Sequence, residues 1–287
     1  MKQGNQDIAA HRDLNAAAAT ASLTGSVWQW LAWGAVVLLI LVSWFWPTSG
    51  LDINILAKNL PPSVSHPFGT DWLGRDMLTR TLKSLLTSIW VGGLAVALSG
   101  LLAMGLAMLA MFSRISRILV DTVVDVFMSI PHLLLLILLS LAFGGGEAGL
   151  IVAVALSHWP RLTRLMRFEM LSVTRMPFYQ LARQFGQGRF AVMRRHMLPH
   201  ILPQWLVGTL LLFPHALVHM AALTFLGFGM DPLAPTIGGI LSQSSNYLLS
   251  GQWWLGVFPG ACLLILLLLF AYIADRANRY VRLGAHI

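Results

Sequence analysis

Charged side chains are scarce in this chain, because Asp, Glu, Lys and Arg together make up 10% of its 287 residues while hydrophobic residues make up 57%. A water-soluble domain of this size needs a much more polar surface. The scarcity therefore excludes an ordinary soluble protein and indicates that the lipid bilayer surrounds most of the chain. Cysteine is almost absent as well: the single residue, Cys262, excludes an intramolecular disulfide.

Signatures of two enzyme classes are missing. The sequence contains no G-x-S-x-G motif of a serine hydrolase. Gly69 and Gly74 have the spacing of a phosphate-binding loop, but Arg75 and Asp76 replace the lysine and the serine or threonine that hold the phosphates and magnesium there. An aspartate at that place would repel a phosphate group. We therefore expect no catalytic residue, no bound cofactor and no ATP site in this chain.

Long stretches without charge are present, and they predict an all-α polytopic membrane protein. About 20 apolar residues in a helix cross the ~30 Å hydrocarbon core of a bilayer. The chain is expected to comprise an N-terminal tail at 1–26, the first span, an external loop at 47–84, a transmembrane domain of five helices at 85–275 and a C-terminal tail at 276–287. Six spanning helices are expected: 27–46, 87–111, 123–143, a fourth starting near 150, 203–223 and 257–274.

The basic residues orient these helices. Lys and Arg number 19 against 11 Asp and Glu. With six spans, most of the basic residues fall on one face of the membrane, concentrated between residues 160 and 200. Cytoplasmic loops of membrane proteins carry such an excess of Lys and Arg. Both tails are therefore predicted to be cytoplasmic, and the net charge of +8 is explained by topology rather than by binding of nucleic acid.

The segment 178–203 is basic and amphipathic, is interrupted by glycines and contains no acidic residue. It resembles the cytoplasmic EAA loop of ATP-binding-cassette (ABC) importer permeases, through which the permease couples to its ATPase. The resemblance places the coupling loop at about 167–200. The positions that match the pattern are Gln180 for the glutamate, Leu181 and Ala182 for the two alanines, and then Gly186, His196 and Pro199.

Helical periodicity supports a docking role for the start of this segment. Phe178, Leu181, Ala182 and Phe185 recur at helical spacing and form one apolar face. Gly186 and Gly188 are then expected to end the helix. Such a helix can set its apolar ridge into a groove of a partner. The alternative is a helix that rests on lipid headgroups, which the arginines of the segment also favour.

Further motifs extend the resemblance over nearly the whole chain after residue 66. The sequences F-G-T-D-W-L-G-R-D at 68–76 and F-L-G-F-G at 225–229 resemble elements of permeases in the dipeptide, oligopeptide and nickel importer family. The resemblance implies one half of a translocation pore in a bacterial inner membrane. The implied partners are a second homologous permease subunit, two cytoplasmic ATP-binding subunits that hold ATP and Mg²⁺, an extracytoplasmic solute-binding protein and membrane lipid.

His215 and His219 are the candidate metal or substrate pathway. They lie four residues apart on one face of the fifth span, just after Pro214. Ala216 stands where a zinc protease of the H-E-x-x-H type has glutamate, so an intramembrane protease is not indicated. Imidazoles at membrane depth are costly unless they pair or line a wet cavity. Together with His158, the pair resembles the nickel-type branch of the family.

These histidines lead us to expect import of nickel or of a metal–chelator complex. The alternative cargo is a di- or oligopeptide, carried by the same type of permease. The alternative is a structural role for the two histidines, as a neutral pair hydrogen-bonded to backbone carbonyls that the proline leaves free. A secondary transporter is the competing class, and the lack of two similar halves in the sequence speaks against it.

Overall fold

The structure, a computed structural model, describes residues 27–228 and 234–284. The expected tail at 1–26 lies outside the described residues. Short 3-10 helices at Ser49–Leu51 and Ile55–Ala57 shape the loop after the first helix, and a π-helical turn, Met193–Met197, joins α7 to α8. The α-helices are α1 Val27–Phe45, α2 Met77–Leu109, α3 Arg114–Ser129, α4 His132–Ala142, α5 Gly146–Val173, α6 Pro177–Gln184, α7 Arg189–Val192, α8 Leu198–Phe225, α9 Ile237–Leu248 and α10 Trp254–Gly284.

The described residues contain fewer apolar spans than the six expected. Four stretches are long and apolar enough to cross a membrane: α1, α2, the run from α7 through α8, and α10. The bent pair of α3 and α4 makes a fifth if it counts as one span. Six spans are therefore not confirmed. The fourth expected span corresponds to α5, which has 28 residues and is about 42 Å long. It carries Arg161, Arg164 and Arg167 and is not among the apolar spans.

The single helix expected at 123–143 is wrong, because the chain breaks at Pro131. Ile130 has an extended backbone with ψ 134°, so α3 ends before it and α4 starts after the proline. The axes of the two helices are bent by 102°. Proline has no N–H to donate and disfavours the helical conformation of the residue before it. The break places His132 at the first position of α4.

Helix α2 begins at Met77 rather than at 87, so the external loop expected at 47–84 ends too late. The carboxylate of Asp76 caps the helix by accepting a backbone N–H at 2.7 Å. Arg80 donates to the Asp71 carboxylate at 2.6 Å, and Lys83 donates to a backbone carbonyl of α1 at 2.8 Å. These charges are tolerated in the helix because each has a partner.

Helix α10 also runs further than expected. The tail placed at 276–287 is helical through Gly284, and residues 285–287 lie outside the described part of the chain. Arg279 pairs with Asp275 one turn earlier at 2.8 Å, which supports the helix across the expected boundary.

Helices α2, α5 and α8 pack closely because small residues lie where they meet. A Cβ atom on Gly208 of α8 would lie 2.7 Å from the Leu162 side chain of α5, and one on Gly100 of α2 would lie 2.8 Å from the Thr209 hydroxyl oxygen of α8. Trp205 Nε1 donates to the Gly100 carbonyl at 2.8 Å. Helix α4 packs on α5 and α8. This arrangement brings the histidines of three helices together.

Candidate functional site

Helix α6 and the turn after it form the segment expected to couple to a partner. The helix ends at Gln184, and Gly186 follows with a left-handed backbone, φ +78°. The N–H of Gly186 donates to the Arg183 carbonyl at 3.1 Å, and the N–H of Gln187 donates to the Ala182 carbonyl at 3.2 Å. Glycine adopts this conformation without the steric penalty of a Cβ atom. The predicted helix end at Gly186 is confirmed.

The apolar face of α6 is only partly covered by this chain. Ala182 is buried with 6% of its surface exposed, whereas Leu181 is 51% and Phe185 83% exposed. Phe178 is 37% exposed, and its ring centroid lies 5.7 Å from that of His200. Two large apolar side chains of a short helix therefore lie open on the isolated chain.

The coupling segment is anchored on both sides. Gln180 Nε2 donates to a backbone carbonyl just after α5 at 3.3 Å. In the π turn, Met193 and Met197 are buried in a cluster that includes residues of α2 and α5. His196 lies in the same turn, and Pro199 lies in the first turn of α8. These contacts tie α6 to the end of α5, and they tie the π turn before α8 to α2 and α5.

Three histidines from three helices meet inside the bundle: His132 at the start of α4, His158 in α5 and His219 in α8. The ring centroids are 4.7 Å apart for His132 and His158, 4.4 Å for His132 and His219, and 5.4 Å for His158 and His219. One ring nitrogen from each lies within 4.8 Å of the others. His215 is not a member of this group and is exposed.

The structure thus places His219, one member of the pair expected from the sequence, beside two histidines of other helices. Spacing within α8 connects His219 to His215, but packing connects it to His132 and His158. Sequence reasoning noted His158 and missed His132. The only local signal for His132 is its position directly after Pro131 in an otherwise apolar run.

Hydrogen bonds determine which ring nitrogen of His158 carries the proton. Its Nδ1 lies 2.9 Å from the Val154 carbonyl oxygen and 2.9 Å from Ser157 Oγ. A carbonyl oxygen only accepts, so Nδ1 carries the proton and Nε2 presents a free lone pair. The Nε2 atoms of His158 and His132 are both buried and have no hydrogen-bond partner in the described part of the protein.

A cavity of about 320 Å³ lies beside this cluster, at the break between α3 and α4. His132, Ser157 and Arg161 are among its lining residues. Arg161 is exposed on α5, near the ion pair that Arg164 forms with Asp125 of α3 at 2.5 Å. The cavity thus offers a polar approach to a bundle that is otherwise largely apolar.

Comparison with known proteins agrees with this architecture. Residues 95–283 match the model of the family described as the binding-protein-dependent transport system inner membrane component. The chain belongs to this family. It is a permease subunit of an ABC importer and a multi-pass membrane protein.

Two similar proteins are named as permeases of peptide transport systems. A protein of Brucella suis biovar 1 (strain 1330), whose name assigns it to a peptide transport system as a permease, is 32% identical over 248 residues, 84% of this chain and 83% of that protein. The dipeptide transport system permease protein of Bacillus subtilis (strain 168) is 29% identical over 241 residues, 83% of this chain and 75% of that protein. The permease family is therefore shown, whereas the nickel-type branch is not specifically supported.

Solved structures share the fold. An inward-facing methionine ABC transporter aligns with a TM-score of 0.55 at 20% identity, covering 71% of this chain and 96% of that chain. An amino acid ABC transporter aligns with a TM-score of 0.56 at 17% identity, covering 71% and 94%. The permease fold is thus common to chains of very different sequence.

Proposed function

We propose that this chain is one of two pore-forming subunits of an ATP-driven importer of di- or oligopeptides. The observation that carries the cargo assignment is the peptide naming of relatives that align over more than four fifths of the chain. The nickel expectation rested on His215 and His219, and only His219 of the two belongs to the three-histidine group. Peptide import therefore replaces nickel as the leading assignment.

The proposed coupling element is segment 167–200, with α6 as the helix that docks on a cytoplasmic ATP-binding subunit. Support comes from the exposed apolar side chains of Leu181 and Phe185 and from the anchored connections to α5 and α8. An apolar ridge set into a partner's groove can move the helices attached to it as a rigid body. Gly186 holds the turn that ends the ridge.

The proposed assembly contains this chain, a second homologous permease subunit, two ATP-binding subunits and an extracytoplasmic solute-binding protein. ATP and Mg²⁺ bind to the ATP-binding subunits, so this chain supplies transport geometry and no catalytic residue. The surrounding partner is the lipid of a bacterial inner membrane, with both termini of the chain in the cytoplasm. Resemblance to the importer family supports these roles.

The coupling proposal is tested with Phe185→Asp, which places a charge in the apolar ridge. In the purified assembly, this variant is expected to lose the ATP-binding subunits or to lose stimulation of ATP hydrolysis by loaded binding protein. Gln184→Asp is the matched control, since it adds the same charge to the neighbouring exposed position of α6. Normal coupling in both variants, or equal loss in both, would contradict the proposal.

The cargo proposal is tested on the cognate solute-binding protein. Mass spectrometry of the ligand released from that protein is expected to show short peptides. A bare metal ion or a non-peptide chelate as the bound ligand would overturn the peptide assignment while leaving the importer assignment intact.

A further inference from the structure

The three-histidine cluster has the composition of a transition-metal site. Imidazole nitrogen is a preferred ligand of Zn²⁺, Cu²⁺ and Ni²⁺, and three protein ligands with an open fourth position form a common metal geometry. His132, His158 and His219 come from three different helices, and a nitrogen of each lies within 4.8 Å of the others. Nitrogens bound at ~2.1 Å to a tetrahedral ion are roughly 3.4 Å apart. Small side-chain rotations are therefore enough to close the set around an ion.

The hydrogen bonds around His158 are those of a metal ligand. A ligating histidine almost always donates its other ring N–H to a carbonyl or carboxylate, which fixes the ring and the tautomer. Nδ1 of His158 donates to the Val154 carbonyl at 2.9 Å, leaving Nε2 as a buried acceptor without a partner. Nε2 of His132 is also buried without a partner. Two unpartnered imidazole nitrogens beside a third imidazole are acceptors that a bound ion would satisfy.

The charges around the cluster limit which ions can bind there. The cavity beside the cluster is lined by His132 and Arg161, and Asp and Glu are not among its lining residues. A guanidinium in that position opposes a cation, so an ion bound there depends on the imidazoles for its binding energy. Hard ions that need carboxylate oxygens, such as Ca²⁺ and Mg²⁺, do not fit such a ligand set.

We propose that His132, His158 and His219 bind one divalent transition-metal ion and thereby tie the start of α4 to α5 and α8. The site lies where the chain bends at Pro131, so a bound ion would brace that bend against the two helices beside it. This inference is independent of the cargo: the ion is a ligand of the permease, whether the importer carries peptides or another solute.

The test is Ni²⁺ binding to the assembled, detergent-purified importer, carried on an affinity tag without histidine. Equilibrium dialysis with elemental analysis is expected to find one Ni²⁺ per copy of this chain. Removing a direct ligand in His219→Ala should weaken binding at least about tenfold, since even loss of a supporting contact costs that much. His200→Ala is the matched control, because it removes an exposed imidazole near the start of α8, outside the three-histidine group, and it should bind as the wild type does.

A second measurement separates a lost site from a lost fold. Ni²⁺ is expected to raise the thermal unfolding midpoint of the wild type and of His200→Ala, and to leave that of a folded His219→Gln variant unchanged. Arg161→Gln should bind Ni²⁺ more tightly than the wild type. The proposal is overturned if the wild type binds no Ni²⁺, or if folded His219→Gln and His219→Ala bind it as well as the wild type does.

Discussion

Substitution of Asp71 by Asn is the sharpest test of how the loop between α1 and α2 is held on the bundle. The Asp71 side chain is fully buried, and its carboxylate accepts four hydrogen bonds. The N–H groups of Leu73 and Arg75 donate to Oδ1 at 2.8 and 2.9 Å, while Arg75 Nε and Arg80 Nη1 donate to Oδ2 at 2.8 and 2.6 Å. Arg80 also donates to Gln243 of α9 at 3.0 Å. The network therefore joins the loop, α2 and α9.

The loss of stability expected for Asp71→Asn follows from the balance of buried charges. One carboxylate serves two guanidinium groups, so an amide at position 71 leaves two largely buried positive charges without a counter-ion. The new NH₂ group would also face the arginine donors. Breaking a buried ion pair by removing one partner costs about 3–5 kcal/mol. The face of the Trp72 ring, 5.3 Å from the Arg80 guanidinium carbon, offsets only a part of this cost.

The assay is reversible unfolding of the purified permease in mild detergent, with Asp275→Asn as the control. Asp275 pairs with Arg279 at 2.8 Å, but the two side chains are 51% and 65% exposed. An exposed pair one helical turn apart contributes roughly 0.3–0.5 kcal/mol. Asp71→Asn should therefore destabilise far more than its control. A loss below about 1 kcal/mol, or an equal loss in the two variants, would refute the reasoning.

Two further predictions concern packing and topology. Gly238→Ala should destabilise the protein by about 1–3 kcal/mol, because the new Cβ atom would lie 2.1 Å from a backbone carbonyl oxygen of α8. Gly105→Ala should be tolerated, because nothing lies within 4 Å of the Cβ position there. Chemical unfolding of both variants checks this prediction. In a Cys262→Ser background, a cysteine at Ser63 should react with an impermeant thiol reagent from outside, and one at Gln184 only after the membrane is opened. External labelling at 184 would invert the proposed orientation.

Local patterns predicted the parts of the fold that local physics determines. The apolar stretch at 27–46 matches α1 within a residue, because hydropathy and length alone define a lipid-facing helix. Gly186 ends α6 as expected, since the left-handed conformation needed there is a property of glycine.

Parts that depend on packing could not be predicted in this way. The start of α2 was placed too late because Arg80 and Lys83 look like loop charges until their partners, Asp71 and a carbonyl of α1, are known. Proline favours a break at 131, but the neighbouring residues do not give the 102° angle between α3 and α4, and α4 packs against α5 and α8.

The three-histidine cluster could not be predicted from local patterns for the same reason. Spacing within one helix reveals only neighbours three or four residues apart, so His219 was paired with His215. Its ring also lies beside those of His132 and His158, which other helices bring into place. Residues this distant in sequence can be joined only once the arrangement of the helices is known.

Uptake of a labelled dipeptide into proteoliposomes that contain the assembled importer and its loaded binding protein tests the central claim most directly. The account predicts uptake that requires ATP on the side of the ATP-binding subunits, and that falls to background in Phe185→Asp while Gln184→Asp retains it. Uptake that continues without ATP, or no dipeptide uptake by an importer that is assembled and hydrolyses ATP, would contradict the account.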